Sequence, residues 1–211
     1  MSSIKPILFN TEMTIAVEEN RKTQTRRLVS PTPPADARLV MSPDPDNRYA
    51  WDESRELPDL GPHDRRVYYP RYYPGDILYV RETWGDYREC QDDGEGHYYL
   101  YRADYPNGAT TYQYPGGPVC DLPKWHPSIH MPKEAARIFL RVTDVRVERL
   151  QNISRESAIA EGCNGAIPIL EFKRIWNSTL KHMDHIRYGW AANPWVWVYS
   201  FERCEKPEEW K

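Results

Sequence analysis

The sequence predicts an α+β fold in which several twisted strands form a small mixed β-barrel flanked by short helices. Three observations predict it. Segments 23–29, 74–82, 136–150 and 194–203 alternate in polarity or are rich in β-branched and aromatic residues. The helical stretches are few and short. The chain also carries 8 Trp, 15 Tyr and 4 Phe, too many for a disordered chain and enough for a core of modest size.

The 211 residues point to one domain, 1–211, with insertions. A net charge of -3 and a pI near 6.1 exclude a protein that coats nucleic acid through bulk positive charge, so an anionic ligand must meet a local basic site. Nineteen prolines and a mean hydropathy of -0.79 point to long irregular segments. Cys90, Cys120, Cys163 and Cys204 lie far apart without a CxxC pair, which argues against a cysteine zinc site. The opening "MSSIKPILFN" lacks a long apolar run and no stretch approaches a membrane span, so a cytoplasmic protein with reduced thiols is expected.

In chain order, "KPILFN" (5–10) reads as a strand and "TEMTIAVEEN" (11–20) as a short helix capped by Thr11 and ended by Asn20 in the left-handed region. "TQTRRLV" (23–29) is a strand. Residues 30–73 read as a decorated loop with an acidic run (Asp44, Asp46, Asp52, Glu53, Glu56, Asp59); a lid, a partner surface and a solvated excursion are all open readings. Pro74-Gly75 turns the chain into the strand "DILYVRETW". Residues 86–128 form a second insertion, with a hairpin of "HYYLYRADY" and "TTYQY" joined through "PNGA". The strand 136–150 follows, then a helix over 154–162 capped by Ser154 and closed by Gly162. A second helix covers 168–180, with Ile169, Phe172 and Trp176 on one stripe, before the final strand 194–203.

Four features carry chemistry. In "NRKTQTRR" (20–27), Lys22 precedes a strand on which Thr25 and Arg27 share one face, so an ammonium, a hydroxyl and a guanidinium meet at a strand mouth. Threonine needs a base to be a nucleophile, and lysine serves only if burial or nearby cations such as Arg21, Arg26 and Arg27 lower its pKa. Taken alone, the run reads first as a solvated basic strand. Glu161, in the last turn of its helix, faces the negative end of the helix dipole, which suits proton transfer but is also tolerated by exposed glutamates. His126 and His130 are four apart, but Pro127 and Pro132 break the helix a metal pair needs, so no metal is expected; structural histidines are the better reading there and at His182 and His185. Trp195, Trp197, Tyr199 and Phe201 share a strand face and read as barrel core ahead of a base-stacking platform.

The succession "NRKTQTRR", "PGDILYVRETW", "IFLRVTDVRVERL", "ISRESAIAEG" and a closing aromatic strand resembles the ASCH family, whose fold is a PUA-like β-barrel. The stretch "HPSIHMPKEAARIFLRVTDVRVERLQNIS" is most similar to ASCH proteins of phages and prophages. The family signature, Gly-x-Lys-x-x-(Glu or Thr)-x-Arg, falls on Asn20, Lys22, Thr25 and Arg27, with Asn in place of Gly. The resemblance covers 5–29, 73–84 and 132–203 and leaves both insertions outside. It implies binding of RNA or a nucleoside beside the motif. One bacterial branch hydrolyses N4-acetylcytidine to cytidine and acetate with a lysine, a threonine and a glutamate, which fall on Lys22, Thr25 and Glu161. The resemblance thus implies an amidohydrolase; no cofactor is expected, and Arg21, Arg26, Arg27, Arg81, Glu82 and His130 are the substrate-binding candidates. A non-catalytic RNA-binding module and a ribonuclease are the alternatives.

Overall fold

In the computed structural model, residues 3–33, 39–43, 49–53, 67–86, 99–105, 109–113, 119–208 and 210 are described. The fold is α+β. Its centre is a mixed five-stranded sheet built from β1 (Ile4–Leu8), β2 (Gln24–Leu28), β3 (Ile77–Arg81), β4 (Phe139–Arg149) and β5 (Trp195–Cys204), in the order β1-β3-β4-β5-β2. β1 runs parallel to β3, and the other neighbours are antiparallel.

The first two strands in sequence therefore form the two edges of the sheet, joined by helix α1 (Thr11–Glu18). No ladder joins these edges among the described residues, so the expected barrel is an open sheet there. A side chain spans the gap: Arg27 Nη2 donates to the Leu8 carbonyl at 3.0 Å.

Alternation on β5 distributes the core over two faces. Trp197, Tyr199 and Phe201 are buried with Ile7, Phe9, Leu78, Val80, Leu140 and Val142, as the core reading of the aromatic run expects. Trp195, at the strand end, is only partly buried. Val196 and Val198 point the other way, under Leu150, Ala158, Phe172 and Trp176 of a second cluster. That cluster is roofed by helices α2 (Arg155–Ala160) and α3 (Pro168–Ser178), where Phe172 and Trp176 are buried as their spacing expects.

Three local expectations are corrected. The α1 cap is Asn10, whose side chain accepts from the Met13 amide at 2.8 Å, with Thr11 as the first helical residue. The first insertion is more than a loop: strands Leu39–Pro43, Tyr49–Glu53 and Val67–Tyr68 form an antiparallel three-stranded sheet. Asp44, Asp46, Glu56 and Asp59 of its acidic run lie outside the described residues. Among the described residues the two arms of the tyrosine-rich hairpin do not pair with each other. Tyr99–Tyr101 pairs with Trp84–Asp86, and Thr111–Gln113 with Val119–Asp121. A 3-10 turn at Arg102–Asp104 ends the first strand before it reaches "PNGA", and Trp84–Asp86 is its partner.

Candidate functional site

Two left-handed positions assemble the site. Asn20 has φ 57°, which reverses the chain after α1 and delivers Lys22 to the mouth of β2. Gly162 has φ +101°, and a Cβ there would lie 2.9 Å from Ala16 Cβ and 3.4 Å from Lys22 Cβ. Glycine thus lets the end of α2 press against α1. Glu161, the C-cap of α2, then forms an isolated antiparallel bridge with Lys22.

The Lys22 side chain is wholly enclosed. Its ammonium donates to Glu161 Oε2 at 2.7 Å, to the Glu161 carbonyl at 2.9 Å and to the Gln24 carbonyl at 2.8 Å. Three donors thus meet three acceptors. Burial pulls the Lys22 pKa below its usual 10.5; Glu161 opposes that shift and the Arg27 charge adds to it.

The other Glu161 oxygen accepts from Arg26 Nη1 at 3.1 Å. Arg26 is buried on the α3 side of the sheet, its guanidinium 5.6 Å from the Phe172 ring centre. Its Nε and Nη2 donate to Glu148 Oε1 at 2.9 and 2.7 Å. Glu148 lies on β4, two strands from β2, so the guanidinium reaches across β5 above Val196 and Val198. Residues Lys22, Glu161, Arg26 and Glu148 form one alternating chain of charges. Glu148 is the member the sequence reading missed. Only the register through β5 brings it near Arg26, and no local pattern signals that.

Thr25 and Arg27 share the opposite face of β2, as period two expects, across from Tyr199 and Trp197. Thr25 is fully buried. Its hydroxyl accepts from Arg27 Nη1 at 2.8 Å, and no hydrogen bond joins it to Lys22 among the described residues. Both cations approach the Phe9 ring: Lys22 Nζ is 5.4 Å and the Arg27 guanidinium carbon 5.8 Å from its centre.

Beside this cluster lies a cavity of about 570 Å³, walled by the start of α1, by β2 and by α3. Its polar wall includes Arg26, Arg27 and Glu161; Phe9, Met13, Phe172, Ile175, Trp176 and Leu180 supply apolar surface. Lys22 and Thr25 lie behind that wall. The remaining candidates are placed elsewhere. Arg21 donates to the Gly162 carbonyl at 2.7 Å and pairs with Glu19. Arg81 donates from Nε to the Met131 carbonyl at 2.8 Å. Glu82 is buried and receives Arg137 Nε at 2.9 Å. His130 is exposed at the end of the 3-10 turn Ser128–His130, whose first residue, Ser128, lines the cavity with Pro127 before it. Thr83, unforeseen, lines it too.

Among the described residues, no group of three or more His, Cys, Asp or Glu side chains is placed to hold a metal ion, and no helix is long and apolar enough to cross a membrane. Comparison of the chain with protein-family models, with curated proteins and with solved structures finds no match.

Proposed function

We propose that the protein is an ASCH-type amidohydrolase, its curled sheet a PUA-like variant, that removes the acetyl group of N4-acetylcytidine or a similar modified nucleoside in the cavity beside β2. The observation that carries the reading is the buried 2.7 Å contact between Lys22 and Glu161, with Glu161 in the cavity wall. A cavity of about 570 Å³ is in the range of small-molecule sites. Moving the Lys22 proton to Glu161 Oε2 turns the ion pair into an amine and a carboxylic acid, that is, a base and an acid side by side. Once Arg27 Nη1 releases the Thr25 hydroxyl and opens it to the cavity, Lys22 takes the hydroxyl proton as Thr25 Oγ1 attacks the acetyl carbonyl, with Arg27 facing the oxyanion. Glu161 returns its proton to the departing N4 nitrogen, releasing cytidine. Water hydrolyses the threonyl ester to acetate. The test is incubation with N4-acetylcytidine and with single-stranded RNA, followed by chromatography; cytidine and acetate are the expected products, and intact substrate overturns the reading.

A second reading has its own observation. Thr25 is fully buried, and all three Lys22 donors are engaged. A site that only binds a modified nucleoside or single-stranded RNA would need neither group exposed. It would offer the Glu161 carboxylate and the Arg27 guanidinium to the ligand as acceptor and donor. Nucleoside binding without turnover selects this reader; RNA cleavage selects a ribonuclease.

A further inference from the structure

We infer that Arg26 and Glu148 are positioning residues that hold Glu161 in its working geometry at the cavity. The inference rests on the reading that Glu161 meets the ligand. Glu161 sits at the end of a helix of only six residues, so its side chain needs outside support to keep one orientation. Lys22 fixes one carboxylate oxygen, at 2.7 Å, and Arg26 fixes the other, at 3.1 Å.

Arg26 is able to do this because it is itself held. Its guanidinium is clamped by two bonds to Glu148 Oε1, at 2.9 and 2.7 Å, against the Phe172 ring. A planar fork engaged on two sides has little freedom left. Glu148 also balances charge. Lys22 and Arg26 are two enclosed cations, and Glu161 alone cannot neutralise both. Without Glu148 the uncompensated guanidinium would draw Glu161 toward itself and away from Lys22. Glu148 is absent from the cavity lining and meets the lining through Arg26, while its other oxygen lies 3.5 Å from Arg146 Nε.

The test is placed on Glu148, whose side chain is 17% exposed, because Arg26 is too enclosed to replace without risk to folding. Glu148→Gln keeps the shape and removes the charge. With N4-acetylcytidine as substrate, it should lower kcat about tenfold with KM nearly unchanged, and Glu148→Asp should recover most of the loss. Thermal melts of both variants accompany the kinetics. Parental kcat in Glu148→Gln, or a Glu148→Asp variant as impaired as Glu148→Gln, overturns the inference while leaving the amidohydrolase reading intact. If the parent binds cytidine but hydrolyses nothing, the amidohydrolase reading falls and the inference is decided on Kd. Glu148→Gln should then weaken cytidine about tenfold in the parent and leave it unchanged in Glu161→Gln. Equal weakening in both backgrounds, or no cytidine binding at all, overturns it.

Discussion

The Lys22 ammonium and the Glu161 carboxylate meet at 2.7 Å, although they stand 139 positions apart in the chain. Neither side chain has more than a few per cent of its surface exposed. The pair ties the mouth of β2 to the end of α2 and is matched in length at the site by the Arg26–Glu148 contact, also 2.7 Å. Breaking such a buried pair on one side leaves the other charge short of a partner. Lys22→Met should therefore destabilise the fold by about 3–5 kcal/mol in urea titrations. Lys22→Met with Glu161→Gln should lose less than the sum of the two single variants. A strictly additive double variant would show that the pair contributes no coupling.

The same pair sets a pH dependence. Burial holds the folded Lys22 pKa below the 10.5 of an exposed lysine. Between the folded value and 10.5 the unfolded chain binds more protons than the folded one, so stability contributed at this site rises with pH across that window. Denaturation at pH 8, 9 and 10 should show the parent gaining on Lys22→Met as pH rises. A gap that narrows instead would mean that Glu161 dominates and the ammonium is stabilised by folding.

How much of this was legible in the sequence follows from the range of each interaction. Alternation on β2 placed Thr25 and Arg27 together, and Ser154 and Gly162 bounded α2, because these are local effects. The meeting of Lys22 with Glu161 is an expectation of the family resemblance alone, since no local rule joins residue 22 to residue 161; Thr25, expected with them, makes its hydrogen bond to Arg27. In the basic run, Arg26 reads as a ligand-binding residue. It is one wall of the cavity but mainly an ionic bridge, because the face of β2 it occupies is covered by α3. Glu148 was invisible because it meets Arg26 across an intervening strand. The "HYYLYRADY" hairpin failed because turn residues mark where a chain can reverse and do not say which strand it will pair with.

Arg137 carries the attachment of the second insertion. It pairs with Glu82 at 2.9 Å and with Asp104 at 2.9 Å, and its guanidinium lies 4.0 Å from the Tyr101 ring centre. Glu82 is buried, and burial raises its pKa even with Arg137 present. Arg137→Ala should cost about 3–5 kcal/mol at pH 7, since it strands a buried carboxylate. Losing the cation raises the folded Glu82 pKa further. The folded state then holds a proton that the unfolded chain releases near 4.5, so stability at this site falls as pH rises through that window. The deficit of the variant should be smaller at pH 5 than at pH 7 in chemical denaturation. An equal deficit at both would show that Glu82 stays ionised.

Trp197 separates core from recognition surface. It is 3% exposed and packs among Phe9, Val145, Tyr199 and their neighbours in the main cluster. Trp197→Ala should destabilise the fold by about 3–5 kcal/mol. A variant that melts like the parent but loses RNA affinity would turn the aromatic run into a stacking platform.

The stretch "NRKTQTRR" returns as the sharpest test of chemistry. In the amidohydrolase reading Lys22 must lose its proton during the cycle, and burial moves it in that direction. Lys22→Arg keeps the charge but cannot act as a base, because guanidinium does not deprotonate in proteins. Thr25→Val removes the hydroxyl at nearly constant volume, and Arg27 Nη1 keeps its other acceptor, the Arg26 carbonyl at 2.9 Å. Both variants should lose turnover of N4-acetylcytidine while cytidine affinity, measured by calorimetry, stays close to parental. Thermal melts identify any loss that comes from unfolding, to which the longer arginine is the more exposed, so Thr25→Val is the cleaner of the two. Full turnover in a folded Lys22→Arg protein would remove Lys22 as the base. Full turnover in Thr25→Val would remove the covalent step and leave Glu161, the one member of the triad in the cavity wall, to activate water directly.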